Sequence, residues 1–242
     1  MLLVAQGVTK RFGGLVANDR VDLAVDHGQV VGLIGPNGAG KTTLFNCLAG
    51  QLQPDGGRIV FNGRDITHWP AHRVATAGIA RTFQLVKSMG GLTVEENVMI
   101  GAFARVDDPE EARRQARRIL ELVGLLDVAG LYPGELPLVV QKQMELARAL
   151  ATGPKLLMLD EAAAGLSPEE MEGFATLLRR IHREMGLSML IIEHVMEFVL
   201  PLSERIFVLA GGRKIAEGTP AEVTRDPSVI EAYLGEGYAR GL

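Results

Sequence analysis

"VVGLIGPNGAGKTTLFNCLAG", residues 30–50, decides how this chain is read. It opens as an apolar run of strand type, turns through glycines from Gly35 to Gly40, and continues from Lys41 in a helical pattern. Gly35-x-x-x-x-Gly40-Lys41-Thr42 fits the P-loop pattern in the context that gives the pattern meaning, a buried strand feeding a helix. Glycines let backbone N–H groups converge on phosphate oxygens, and the helix N-terminus adds its partial positive charge. The pattern therefore assigns Gly35, Pro36, Asn37, Gly38, Ala39, Gly40, Lys41, Thr42 and Thr43 to a phosphate cradle. Lys41 would reach the β- and γ-phosphates, and the Thr42 hydroxyl would ligate Mg²⁺.

The totals restrict what surrounds this cradle. A chain of 242 residues can bury a sizeable core. A net charge of −4 draws the molecule neither to nucleic acid nor to anionic lipid, so phosphate binding has to be local. The sole cysteine, Cys47, has no internal partner, which suits a reducing compartment. The opening "MLLVAQGVTKRF" turns polar too soon for a signal peptide. No apolar run reaches the ~18–20 residues that span a bilayer. The greasiest, "LSMLIIEHVMEFVLPL", is broken by Glu193, His194 and Glu197.

Short β-branched runs alternate with helical patterns, which argues for an α/β core. Strands are expected at Leu2–Val8, Val21–Val25, Gln29–Ile34, Arg58–Asn62, Leu156–Leu159, Ser188–Ile192 and Arg205–Ala210. Three of these are nearly all apolar, as in a parallel sheet buried on both faces. Helix starts are marked at Thr93–Glu96, Asp108–Glu111, Ser167–Glu170 and Thr219–Glu222, each with a cap residue three positions before a glutamate. The last three add proline at the first helical position. The helix from Pro168 to Met185 would bury Met171, Phe174, Leu178, Ile181 and Met185 and stop at Gly186. Between 86 and 152 helix dominates, so a helical subdomain is expected there, inserted into a core of residues 1–85 and 153–242. Its "ARRQARR" reads as a solvated helix face, and no internal repeat or low-complexity linker is present.

A second cluster of chemistry lies in "KLLMLDEAAAGL". Its strand delivers Asp160 and Glu161 at the C-terminal end, where open α/β sheets place ligands. Asp160 suits Mg²⁺, and Glu161 could polarise the water that attacks a γ-phosphate. His27, His68, His72 and His182 sit in polar contexts and read as surface residues. His194 follows an apolar strand and could hydrogen-bond the γ-phosphate; the alternative is a satisfied core histidine. Gln84 closes "IARTFQ" and could touch Mg²⁺ or its water at the hinge to the helical segment. Phe12, between basic and glycine residues, could stack on adenine or belong to the core.

These elements in this order resemble the ATP-binding subunits of ABC transporters. The resemblance places Phe12 at the adenine position, Gly35–Thr42 at Walker A, Gln84 at the Q-loop, Asp160 and Glu161 at Walker B with its catalytic glutamate, "AAGLS" at the D-loop and His194 at the switch histidine. It is closest to the larger ATPase subunit of branched-chain (hydrophobic) amino-acid importers, through "KRFGGLVA", "IARTFQLVKSMGGLTVEENVMIGA", "IIEHVMEFV" and "GRKIAEGTPAEVTRDPSVIEAYLGE". It implies a P-loop core with a mostly parallel sheet, an N-terminal antiparallel β subdomain and the helical insertion. It also implies ATP and Mg²⁺ as cofactors, and a second ATPase subunit that sandwiches the nucleotides head to tail. Two membrane permeases, which would hold the chain peripherally on the cytoplasmic face of the membrane, and a periplasmic or lipid-anchored solute-binding protein complete the implied system. No nucleic-acid partner is implied.

The signature motif of such proteins, Leu-Ser-Gly-Gly-Gln, falls here on Leu136-Pro137-Leu138-Val139-Val140, followed by Gln141. Pro137 offers neither hydroxyl nor N–H, and Val139 cannot bring its backbone to a phosphate as glycine does. Signature residues serve the partner's ATP, so an asymmetric heterodimer is expected, unless backbone N–H groups of Leu138–Gln141 and the helix dipole suffice. Ala162 replaces the usual proline after the catalytic glutamate. Urea and lipopolysaccharide transport systems use similar ATPases. Soluble repair or translation ATPases usually carry long coiled coils or tandem cassettes, which do not fit in 242 residues; a P-loop kinase would show an acceptor site and lid arginines, and a GTPase Asn-Lys-x-Asp, which is absent here.

Overall fold

The computed structural model describes residues 1–82 and 88–234. β1 (Leu3–Phe12), β2 (Leu15–Val25) and β3 (Val30–Ile34) lead into α1 (Lys41–Leu48). β4 (Gly56–Phe61), β5 (Arg64–Asp65), α2 (Ala71–Ala77) and β6 (Ile79–Arg81) follow. Then come α3 (Val94–Ala102), α4 (Pro109–Val123) and α5 (Leu138–Ala151). β7 (Leu156–Asp160), α6 (Pro168–Met185), β8 (Ser188–Ile192), α7 (Met196–Val199) and β9 (Arg205–Ala210) come next. β10 (Arg213–Gly218), α8 (Pro220–Val223) and α9 (Pro227–Leu234) end the described chain. Two compact units form, one of Met1–Val74 with Ser188–Leu242, the other of Ala75–Leu187.

The first unit holds the expected N-terminal antiparallel sheet, ordered β2-β1-β4-β5. It also holds β3, parallel to both β8 and β9, with β10 antiparallel on β9. Every residue of β3 and β8 is buried, so neither run alternates in polarity. β1 and β2 run well past the expected Val8 and Val21, to Phe12 and from Leu15, because register shifts between Val8 and Arg11 let a polar, twisted ribbon keep pairing. β10 escapes the apolar pattern altogether. "RKIAEG" has no buried residue and is strand only because β9 offers it a pairing edge.

In the second unit β6 and β7 pair in parallel, Ile79 opposite Leu156. α3, α4 and α5 pack on one another through Val94, Val98 and Ala102, through Ala112, Ala116 and Leu120, and through Met144, Leu146, Ala147 and Leu150. Arg113, Arg114 and Arg117 of α4 pair with Glu95, Glu110 and Glu111. Exposed pairs of this kind contribute ~0–1 kcal/mol each, so burial of the alanine-leucine stripe is what holds α4 in place.

All four marked helix starts are N-caps. The side chains of Thr93, Asp108, Ser167 and Thr219 each accept from the backbone N–H of the glutamate three residues on. α6 buries Phe174, Leu178 and Ile181 and stops at Gly186 in the left-handed region, while Met185 at its end is exposed. α5 departs from expectation. It starts at Leu138 instead of Gln141, with Pro137 as its N-cap. Proline is tolerated there because no intrahelical N–H is needed, and packing against α3 and α4 outweighs the few tenths of a kcal/mol that Val139 and Val140 cost in helix propensity.

Among the described residues no helix is long and apolar enough to cross a membrane. Cys47 lies on the buried face of α1 beside Leu44 and Leu48, and burial pushes its thiol up to about 11. A protonated, enclosed thiol is a poor nucleophile. Cys47 should therefore stay unreactive toward an aromatic disulfide reagent at pH 8 in the native protein and react fully in denaturant; rapid native labelling would contradict the burial.

Candidate nucleotide site

β3 ends at Ile34, and the chain turns through Gly35 and Gly40 into α1. Gly35 has φ 149, and a side chain there would meet the Leu209 carbonyl at 2.1 Å. Gly40, at φ 97, is the N-cap of α1, and its missing Cβ leaves room for the Ala17 carbonyl, which would lie 2.2 Å away. Only glycine fits such close backbone approaches. No side chain caps α1 and no acidic residue occupies its first turn. Its leading N–H groups, without intrahelical acceptors, suit an anion. Lys41 is folded back over the turn, donating to the carbonyls of Gly35 at 2.6 Å and Pro36 at 3.0 Å.

The turn is fixed from outside by two residues that the motif does not contain. The amide of Asn18, fully buried on β2, donates to the Gly40 carbonyl at 3.1 Å. The Gly212 N–H donates to the Ala39 carbonyl at 3.1 Å, and the Gly212 carbonyl accepts from the Asp19 N–H at 2.8 Å. Arg213 closes this strap on the Asp19 carboxylate at 2.6 Å, which holds that carboxyl below its ordinary range. Neither position carries a sequence signal, since an asparagine in a strand and a glycine pair in a hairpin are common.

β2 also links the turn to Phe12. That residue pairs with Leu15 at the hairpin end, is 47% exposed, and is therefore a platform on the surface, outside the core. Lys10 stands 5.7 Å from its ring centre. Three residues beyond Leu15, Asn18 touches the P-loop, so one ribbon sets the spacing from ring to phosphate cradle. β8 pairs in register with β3, Leu33 opposite Ile192, and so releases His194 at the same strand end from which the cradle springs. Its side chain is half exposed beside the fully buried Glu193. At the start of the same turn, Tyr233 of α9 meets the Gly35 backbone, and burial raises its phenol to about 12.

The second unit carries the acidic pair. Asp160 ends β7 almost fully buried, 2.7 Å from the Arg81 guanidinium at the end of β6. Glu161 follows at φ 48, a left-handed conformation that a non-glycine residue holds only under local strain. Leu136–Gln141 also lie here. The Gln141 N–H donates to the Pro137 carbonyl at 3.1 Å and its side chain to the Leu136 carbonyl at 2.9 Å. Of the expected N–H groups from Leu138 to Gln141, the last is thus already engaged. Gln84 lies outside the described residues. His27, His68 and His72 are exposed as expected, but His182 is half-buried with its ring nitrogen on the Leu187 carbonyl at 2.9 Å.

A buried strand, a glycine turn closed by a lysine and an uncapped helix form a cradle whose leading N–H groups suit an anion. The family model for the ABC transporter matches residues 18–164, and the chain belongs to that family, as an ABC-type ATPase. A model described as branched-chain amino acid ATP-binding cassette transporter matches residues 213–239. The chain is 41% identical to the high-affinity branched-chain amino acid transport ATP-binding protein BraF of Pseudomonas aeruginosa, over 97% of this chain and 98% of that one. MJ1267, an ATP-binding cassette of an ABC transporter, shares 34% identity at a TM-score of 0.89 and covers 97% of this chain, which covers 99% of it. MJ0796, a bacterial ABC transporter cassette of dimeric structure, shares 25% identity at a TM-score of 0.81, over 90% of this chain and 99% of that one.

Removing the cradle's cation should uncouple binding from folding. Lys41→Ala should lower affinity for a fluorescent ADP analogue at least ~10-fold, the worth of one charge-assisted contact, ~1.4 kcal/mol. Tight binding by that variant would refute the phosphate assignment.

Proposed function

We propose that this chain powers an importer of branched-chain or other hydrophobic amino acids by binding ATP, closing against a second ATPase subunit and hydrolysing the nucleotide. The observation that carries the reading is the turn from Gly35 to Lys41, held on its outer side by Asn18 and Gly212 and uncapped on its inner side. The amino-acid class is supported by the tail match at residues 213–239 and by the function printed in the BraF name. The chain works on the cytoplasmic face of the membrane, docked on two permease subunits, with residues 86–152 as the helical subdomain between 1–85 and 153–242.

In this reading Phe12 stacks on adenine, and the backbone of Gly35–Thr43 wraps the phosphates. Lys41 exchanges the carbonyls of Gly35 and Pro36 for β- and γ-phosphate oxygens. The residues that would offer hard oxygen donors to Mg²⁺ are Thr42, through its hydroxyl, and Asp160, through its carboxylate, with Gln84 the third residue that the family pattern assigns. One or two protein oxygens completed by phosphates and water are what this ion takes, and when bound it neutralises developing charge on the phosphates. Glu161 orients the attacking water and accepts its proton, and His194 contacts the γ-phosphate. ATP favours the closed dimer because only there does it touch both chains.

The segment Leu136–Gln141 faces the partner's ATP. Pro137 and Val139 withhold the serine hydroxyl and the glycine backbone, so the heterodimer has one competent site and one weakened site. The N–H groups of Leu138, Val139 and Val140 are what the α5 terminus can still offer. Restoring Ser at Pro137 together with Gly at Val139 should raise turnover of the assembled heterodimer severalfold, measured by phosphate release; unchanged turnover would remove the asymmetry. Glu161→Gln should keep ATP binding, abolish steady hydrolysis and trap a dimer by size exclusion. Unimpaired turnover would take Glu161 out of its role.

A further inference from the structure

Arg81 is a strand-end cation in the second unit paired with a residue of the proposed chemistry. It ends β6, lies opposite Met158 on β7, and reaches two residues on to Asp160. Its Nη2 is 2.7 Å from Asp160 Oδ2, and the side chains are only 11% and 2% exposed. The pair is therefore shielded from water on both sides.

We propose that Arg81 is a positioning residue that holds the Asp160 carboxylate and balances its charge, so that the chain takes up a divalent cation only together with nucleotide. The inference rests on Asp160 being the Mg²⁺ carboxylate. At 2.7 Å the positive guanidinium opposes the attraction an approaching cation would feel from that carboxylate. Mg²⁺ gives up its water reluctantly, and a carboxylate already paired gives it little reason to do so. The triphosphate supplies the missing negative charge, and only then is the ion drawn in. Arg81 also fixes Oδ2 by a charge-assisted bond, which orients the carboxylate before the ion arrives.

The test reads metal affinity in the full-length chain without nucleotide, with Mn²⁺ as an electron-paramagnetic-resonance probe. Arg81→Met should bind free Mn²⁺ at least tenfold more tightly than the parent, and its melting temperature should rise with added Mg²⁺ while the parent's does not move. Arg81→Lys, which keeps the charge, should bind free Mn²⁺ like the parent. Unchanged Mn²⁺ affinity in Arg81→Met overturns the proposal. If Arg81→Met is insoluble, Arg81→Met combined with Asp160→Asn decides. Recovery of a soluble protein supports charge balance, and continued insolubility assigns Arg81 to packing and overturns it. Asp160→Asn alone separates the two readings. Undiminished Mn²⁺–ATP binding there removes Asp160 from the metal site itself, whereas weakened binding beside an inert Arg81→Met sinks only the Arg81 inference.

Discussion

The Gly40 carbonyl, gripped by the Asn18 amide, is the bond on which the cradle depends. Backbone N–H groups can serve phosphate only if they converge before the ligand arrives, because ordering a loop on binding subtracts from affinity. Convergence here is imposed by neighbours. Leu209 and Ala17 carbonyls press where Gly35 and Gly40 have no side chain, and Gly212 holds Ala39. Asn18 achieves this with its Oδ1 buried and without a partner.

Electrostatics in both units follows one rule, that a buried charge stands next to its complement. Lys41, only 7% exposed, rests on two carbonyl dipoles. Asp160 rests on Arg81. These partners keep the two buried charges from being stranded in low dielectric, where an isolated ion is untenable. Glu161 shows the same logic in its backbone: a left-handed residue persists only where the fold on either side, buried β7 and the capped α6, determines its path.

The α5 terminus joins sequence anomaly to geometry. Pro137 is acceptable to the helix because an N-cap needs no N–H, and Leu138 packs toward Gly165. The stretch is thus sound as structure while lacking the hydroxyl and glycine backbone that phosphate recognition uses.

The sequence by itself determined the elements whose cause is local. Buried strands show as unbroken apolar runs, helix starts show as a cap residue with a glutamate three positions on, and the P-loop shows as glycines at a fixed spacing before Lys41. The strand that ends at Asp160 was legible as an apolar run before two acids, and only the P-loop elsewhere in the chain gives those acids a chemical reading. What only the tertiary structure decided are matters of pairing across the chain. β10 is a strand because β9 lies beside it, α5 starts three residues early because α3 and α4 pack on it, and Asn18, Gly212 and Arg81 matter through bonds to residues 22, 173 and 79 positions away. Local propensity cannot encode a contact whose partner is remote, since the residue's own chemistry is unremarkable until the fold brings the other atom within reach.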